Sequence, residues 1–121
     1  MLEHMANFEF GWIVGLIEGE GCPTVNRKRK YYQPELWLSS TDKDVMDRFI
    51  FWVNKTFPPQ GNHEKEAKLM LRKPKGKSTY KMQYIAQITS RRALDLMTLI
   101  YPYMSERRRA QINRVMKRTR P

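Results

Sequence analysis

Two carboxylates close an apolar stretch near the start of the chain. Glu18 and Glu20 follow Phe8, Trp12, Ile13, Leu16 and Ile17 and are interleaved with Gly19 and Gly21. In the last turn of a helix, acids face the negative end of the helix dipole, which costs roughly 0.3–1 kcal/mol each. A sequence selected for stability alone would carry Lys or Arg there. Hard divalent cations prefer carboxylate oxygens, and a bound cation reverses the sign of that cost. The glycines leave space beside the acids for a second backbone or a phosphate to approach. The chemistry implied is cation binding next to an anionic ligand; the plain alternative is two exposed glutamates.

A second set of residues is cationic and amide-bearing. The 121-residue chain holds 23 Lys and Arg against 12 Asp and Glu, a net charge of +11. Residues 1–21 contain no Lys or Arg and four acids, Glu3, Glu9, Glu18 and Glu20, so that segment carries −4 and the other hundred residues carry the balance of +15. Such asymmetry separates an acidic apolar element from a basic body and points to a polyanionic partner. A membrane-surface protein could be as basic, but here the cations lie mainly in alternating and turn segments, not on one amphipathic helix. No apolar run reaches bilayer length, and the N-terminus lacks the basic and apolar regions of a secretory signal. Cys22 is the only cysteine, which excludes an internal disulfide and a cysteine-based zinc site. These features predict an intracellular protein that is neither membrane-bound nor secreted.

The elements that must position these residues follow from periodicity. Asn7 is a candidate cap for a helix through Ile17, with Gly19 and Gly21 as its stop. Period-two alternation over Cys22–Ser40 predicts a hairpin with its turn near Lys28–Tyr31, and Pro34 belongs at an edge or bulge. Thr41 is expected to cap a second helix through Val45, Met46, Phe49, Ile50, Trp52 and Val53, ending before Pro58 and Pro59. A second hairpin joins Ala67–Arg72 to Met82–Ile88 through a turn at Pro74–Lys77. Ser90 starts a third helix, stopped near Pro102, and a basic helix runs from about Ser105 to Lys117. The order αββαββαα gives an α+β fold, a four-stranded antiparallel sheet with helices on one face. Residues 1–6 read as a flexible leader, 7–118 as one domain and 119–121 as a tail.

The pleat then sorts the strands. If Val25, Leu36, Leu38, Leu69, Leu71, Met82, Tyr84 and Ile88 cover the helices, the open face carries Thr24, Asn26, Lys28, Lys30, Glu35, Trp37, Lys68, Met70, Arg72, Lys81, Gln83 and Gln87. Gln33 and the turn lysines Lys75 and Lys77 extend this set. Cations suit phosphates, and amides and Arg suit base edges in a major groove wide enough for a two-stranded ribbon. An ordinary solvated sheet face is the plain alternative. Single-stranded RNA readers usually place two or three aromatics on the sheet, where this face offers mainly Trp37, so RNA is the lesser expectation.

The stretch Ile13-Val14-Gly15-Leu16-Ile17-Glu18-Gly19-Glu20-Gly21 resembles the nine-residue signature of the LAGLIDADG homing endonucleases, in the variant ending Gly-Glu-Gly. Ser40–Val45 resembles the start of the family's second helix. Arg91–Leu94, Tyr101–Met104 and Arg107–Gln111 resemble its C-terminal part, so the likeness covers roughly residues 8–118. It implies an αββαββα domain with a saddle-shaped sheet that acts as a homodimer on double-stranded DNA. The two signature helices would pack together through Gly11, Trp12, Gly15 and Glu18. Glu20, at the motif's eighth position, would bind Mg²⁺ (or Mn²⁺ or Ca²⁺ for binding alone) beside a scissile phosphate, with Gly19 at the same place. Glu18 matches the sixth position, which serves packing or capping. A basic residue usually completes the pocket, and Arg107 or Arg108 lies closest to it. The implied function is a metal-dependent, site-specific endonuclease cutting a long palindromic or pseudo-palindromic site. A cleavage-inactive DNA-binding or regulatory protein of this fold and an intron-RNA maturase are the alternatives.

Overall fold

The computed structural model describes residues 2–73 and 81–119, with side chains from residue 7 onward. Helix α1 (Leu2–Glu20) leads into strands β1 (Cys22–Arg27) and β2 (Tyr32–Ser40). Helix α2 (Lys43–Thr56) follows, then β3 (Leu69–Arg72), β4 (Gln83–Thr89), α3 (Ser90–Ile100), a 3₁₀ turn (Tyr101–Tyr103) and α4 (Glu106–Thr119). The strands form one antiparallel sheet in the order β1-β2-β4-β3. The protein is therefore α+β. No helix among the described residues is long and apolar enough to cross a membrane.

The register fixes the faces. Leu36 lies opposite Ile88 and Leu38 opposite Ala86, and all four are fully buried against Ile13 and Ile17 of α1, Phe49 of α2, Leu96 and Ile100 of α3 and Ile112 of α4. The helices share this one face, and burial of these side chains supplies the main driving force, about 1.5–3 kcal/mol for each large one. Leu71, expected to lie under the helices, faces Tyr84 across the edge pairing but is 64% exposed, because β3 is the outermost strand. Met82, expected to cover the helices, precedes β4 and is also exposed.

Three boundaries differ from expectation. Helix α1 begins at Leu2, so Asn7 lies inside it and caps nothing, and the leader is helical from its second residue; Leu2–Ala6 hold no Gly or Pro, and Leu, Met, Ala and Glu are strong helix formers. The cap of α2 is Asp42, not Thr41. Its carboxylate accepts from the Asp44 and Val45 amides at 3.0 and 3.3 Å, and its charge suits the positive end of the dipole. Ala67 lies before β3 and not within it: the Asn54 side chain accepts from its amide at 2.8 Å and donates to its carbonyl at 3.0 Å, in place of a strand partner. Arg91 and Arg92 of α3 hold the same segment by bonds to Glu64 and to the Lys65 carbonyl. The Arg91 guanidinium lowers the Glu64 carboxyl to about 2.

Gly21 ends α1 for a steric reason. Its amide donates to the Ile17 carbonyl at 2.8 Å, and a Cβ there would stand 2.6 Å from that oxygen and 2.8 Å from the Ile17 Cγ2. Gly11, Gly15 and Gly19 are different. A Cβ on any of them would meet nothing within 4 Å, and all three are exposed, on the same side of α1 as Phe8, which is 72% exposed. A glycine inside a helix costs about 1 kcal/mol relative to Ala, and packing within the chain does not require these.

Candidate nucleic-acid interface and acid site

Cross-strand partners point to the same side of a sheet, and the register assembles the expected polar face. Thr24 pairs with Glu35, Asn26 with Gln33, Trp37 with Gln87 and Arg72 with Gln83. With Met70, opposite Ile85, they line the side away from the helices. Asn26, Met70 and Arg72 are exposed; Thr24, Gln33, Trp37, Gln83 and Gln87 are half-buried.

Glu35 departs from its expected role as a groove contact. It is 1% exposed and accepts hydrogen bonds from Gln33 Nε2 at 2.7 Å, Trp37 Nε1 at 2.8 Å and Asn26 Nδ2 at 3.3 Å. Burial alone would raise its carboxyl; the donors from Trp37, Gln33, Asn26 and Gln87 outweigh that and hold it below the ordinary carboxylate range. It is the anchor beneath the face. Trp37 is pinned by its indole N–H; Gln33 Oε1 accepts from Ser90 Oγ at 3.4 Å, and the Asn26 carbonyl oxygen accepts from no other described side chain. The sequence signal was available: one acid among amides at period-two spacing on a face otherwise cationic or neutral.

The lysines are peripheral. Lys28 and Lys30 lie in the tip of the first hairpin, where the Lys28 amide donates to the Tyr31 carbonyl at 2.8 Å. Lys68 precedes β3 and is exposed. Lys81, expected on the open face, lies before β4 and lines a depression with Asp42 and Asp44 at the start of α2. Lys75 and Lys77 fall outside the described residues.

At one end of the polar face lies the acid site. Exposed Glu20 lines a depression of about 120 Å³ together with Cys22, Trp37, Ser39, Arg72 and Gln83. The end of α1 thus delivers a carboxylate beside an arginine and an amide of the sheet, a union of the two residue sets singled out in the sequence. Glu18, two residues earlier, turns the other way. Its carboxylate accepts from the Ser105 amide and, at 2.9 Å, from Ser105 Oγ, at the start of α4. The Ser105 amide is the main cause of a lowered Glu18 carboxyl, with Arg108 adding to it. Glu18 therefore performs capping within its own chain.

Arg108, considered above as a residue of the reacting pocket, is 7% exposed and ties α4 to the end of α1. Its Nε donates to the Glu18 carbonyl at 2.9 Å and its Nη2 to the Gly19 carbonyl at 3.4 Å; its Nη1 donates to Gln111 Oε1 at 3.0 Å. A helix C-terminus leaves carbonyls without partners, and a buried guanidinium satisfies them. Arg107, one position away, is exposed. Trp12 is half-buried with the Arg48 guanidinium 3.9 Å from its ring centre, and Arg48 in turn forms an ion pair with Glu9 at 2.6 Å.

Among the described residues no three His, Cys, Asp or Glu side chains converge into a cation site. One chain therefore brings a single exposed carboxylate, Glu20, to the acid site, and the Gly19 carbonyl is already engaged by Arg108. A hard divalent cation takes six or more oxygen ligands. These residues fit such a cation only as a share of a larger site. No family model matches the chain, and no curated protein matches it.

Proposed function

We propose that the protein is a LAGLIDADG-type homing endonuclease that cuts double-stranded DNA as a homodimer. The observation that carries this reading is the acid site: Glu20 opens onto the end of the polar sheet face, beside Arg72 and Gln83, not into solvent elsewhere. The open ridge of α1 supports the second half. Phe8, Gly11, Gly15 and Gly19 leave space that packing within the chain does not use, and a copy of the same helix would fill it on a two-fold axis. Two such helices would bring two Glu20 carboxylates together, which answers the shortage of ligands in one chain.

The chain's own residues divide the work. The polar face binds duplex DNA: Asn26, Gln33, Gln83 and Gln87 offer amide groups to base edges, and Arg72 offers a bidentate donor. Glu35 holds Asn26, Gln33 and Trp37 in fixed orientations before DNA arrives, so less side-chain freedom is lost on binding. Glu20 would hold the cation through its carboxylate oxygens. Arg107, exposed at the start of α4, neutralises phosphate charge, while Arg108 keeps α1 and α4 in register. When bound, Mg²⁺ supplies Lewis-acid activation of water and phosphate. A homodimer of this kind reads a palindromic or pseudo-palindromic site.

The experiment is selection of cleaved duplexes from a randomised pool in Mg²⁺, with the wild type and Glu20→Gln. The wild type should enrich a two-fold symmetric sequence and Glu20→Gln none. Equal inertness of both proteins on every pool would refute the nuclease.

A further inference from the structure

The basic helix α4 carries a second feature, beyond the acid site and alongside the polar face. Arg107, Gln111, Arg114 and Arg118 follow one another at steps of four, three and four, which places them on one side of the helix. Gln111, Arg114 and Arg118 form one wall of an open groove of about 340 Å³, and Pro23, Thr24 and Val25 of β1 form the other. β1 is an outer strand of the sheet, hydrogen-bonded to β2 alone. Thr24 belongs to the polar face, and the groove is therefore continuous with that face across the sheet edge.

The charges in the groove are uncompensated. Several cations that support the fold are paired with acids, Arg48 with Glu9, Arg91 with Glu64 and Asp95, Lys43 with Asp47 and Arg108 with Glu18, and buried Arg92 bonds the Lys65 carbonyl. Among the described residues Arg107, Arg114 and Arg118 form no ion pair, and α4 holds one acid, Glu106. Three exposed guanidinium groups along one ridge repel one another unless an anion lies between them. From Arg107 to Arg118 the ridge rises about 16 Å, the axial rise of about five phosphates of one DNA strand at 3.4 Å each. The groove is shallow and lacks a buried polar anchor, so it suits a continuous backbone better than a small ligand.

We infer that the α4–β1 groove, through Arg114 and Arg118, is a sequence-independent clamp for the phosphate backbone of duplex DNA beyond the part covered by the sheet. This rests on the nucleic-acid reading above and extends its footprint. Arginine is the suited residue because its planar fork engages phosphate oxygens bidentately. The clamp adds affinity equally on all sequences and leaves base discrimination to the sheet.

The test is fluorescence anisotropy of a labelled mixed-sequence duplex over a series of salt concentrations, with the wild type, Arg114→Gln/Arg118→Gln and Arg114→Lys/Arg118→Lys. Both positions are exposed, and unfolding curves of the variants verify the fold. Loss of two phosphate contacts should lower the slope of log K against log salt by about 1.8 and weaken binding by about 30-fold at 0.15 M salt, with the Lys pair restoring most of it. An unchanged slope in the Gln pair, with the wild type binding duplex, overturns the clamp and leaves the sheet reading intact. A Gln pair that loses affinity for a labelled RNA hairpin but keeps it for duplex also overturns it. A wild type that binds no duplex overturns the nucleic-acid reading itself.

Discussion

Glu35 offers the sharpest test of how the polar face is held. Its carboxylate is 1% exposed and accepts from Gln33 at 2.7 Å, Trp37 at 2.8 Å and Asn26 at 3.3 Å. A hydrogen bond to a charged group is worth about 1.5–3 kcal/mol, and the three are not additive because the donors lie near solvent and recover water when released. Glu35→Ala is therefore expected to cost about 2–4 kcal/mol. Glu35→Gln keeps the shape but turns one acceptor into an NH₂ group that faces a donor, for a loss of about 1.5–3 kcal/mol. The pH dependence follows from the direction of the shift. Because the folded carboxyl is held below its ordinary value, its stabilisation is complete above the unfolded Glu pKa of about 4.3 and is lost as pH falls through the folded value. Urea unfolding of wild type and Glu35→Gln at pH 7 and at about pH 3 should show a gap that narrows on acidification. Equal stability at pH 7, or a gap independent of pH, would refute the hub.

Arg108 and Arg107 are adjacent in sequence and opposite in role. Arg108→Met should cost about 2–4 kcal/mol in chemical denaturation, since it strips the end of α1 of its donors, whereas Arg107→Met should stay within about 0.5 kcal/mol. The glycines of α1 divide similarly. Gly21→Ala drives a Cβ to 2.6 Å from the Ile17 carbonyl and should destabilise by about 1–3 kcal/mol. Gly15→Ala meets open space and should gain up to about 1 kcal/mol for the single chain. In sedimentation experiments the same Gly15→Ala variant should weaken self-association; a variant that is stabilised yet associates like the wild type would speak against helix-to-helix packing at this ridge.

The order of elements and the sorting of the strands were legible because a half-buried sheet enforces period two. Leu36, Leu38 and Ile88 had to lie on the other face of the sheet from Glu35, Trp37 and Gln87, and the register agrees. The roles of individual polar residues were harder to read. Nothing in local sequence separates Arg108 from Arg107, since the difference is whether the side chain points at the carbonyls of a helix ninety residues away. Alternation reports the face of Glu35 and not its depth, and the one sign of its burial is its place as a single acid among amides. The start of α1 lies six residues before the expected Phe8, at Leu2, where several good helix formers run together, and the cap of α2 lies one residue after the expected Thr41, at Asp42, where two adjacent capping types compete.

The proposed function requires two copies to bring their Glu20 carboxylates together to cut both strands of DNA. Differently tagged wild-type and Glu20→Gln copies, co-expressed and purified as mixed pairs, test it on the duplex recovered by selection. Wild-type pairs should produce double-strand breaks, mixed pairs at least tenfold fewer, and pairs of two Glu20→Gln copies none. Double-strand cleavage at the wild-type rate by pairs lacking both carboxylates would contradict the account.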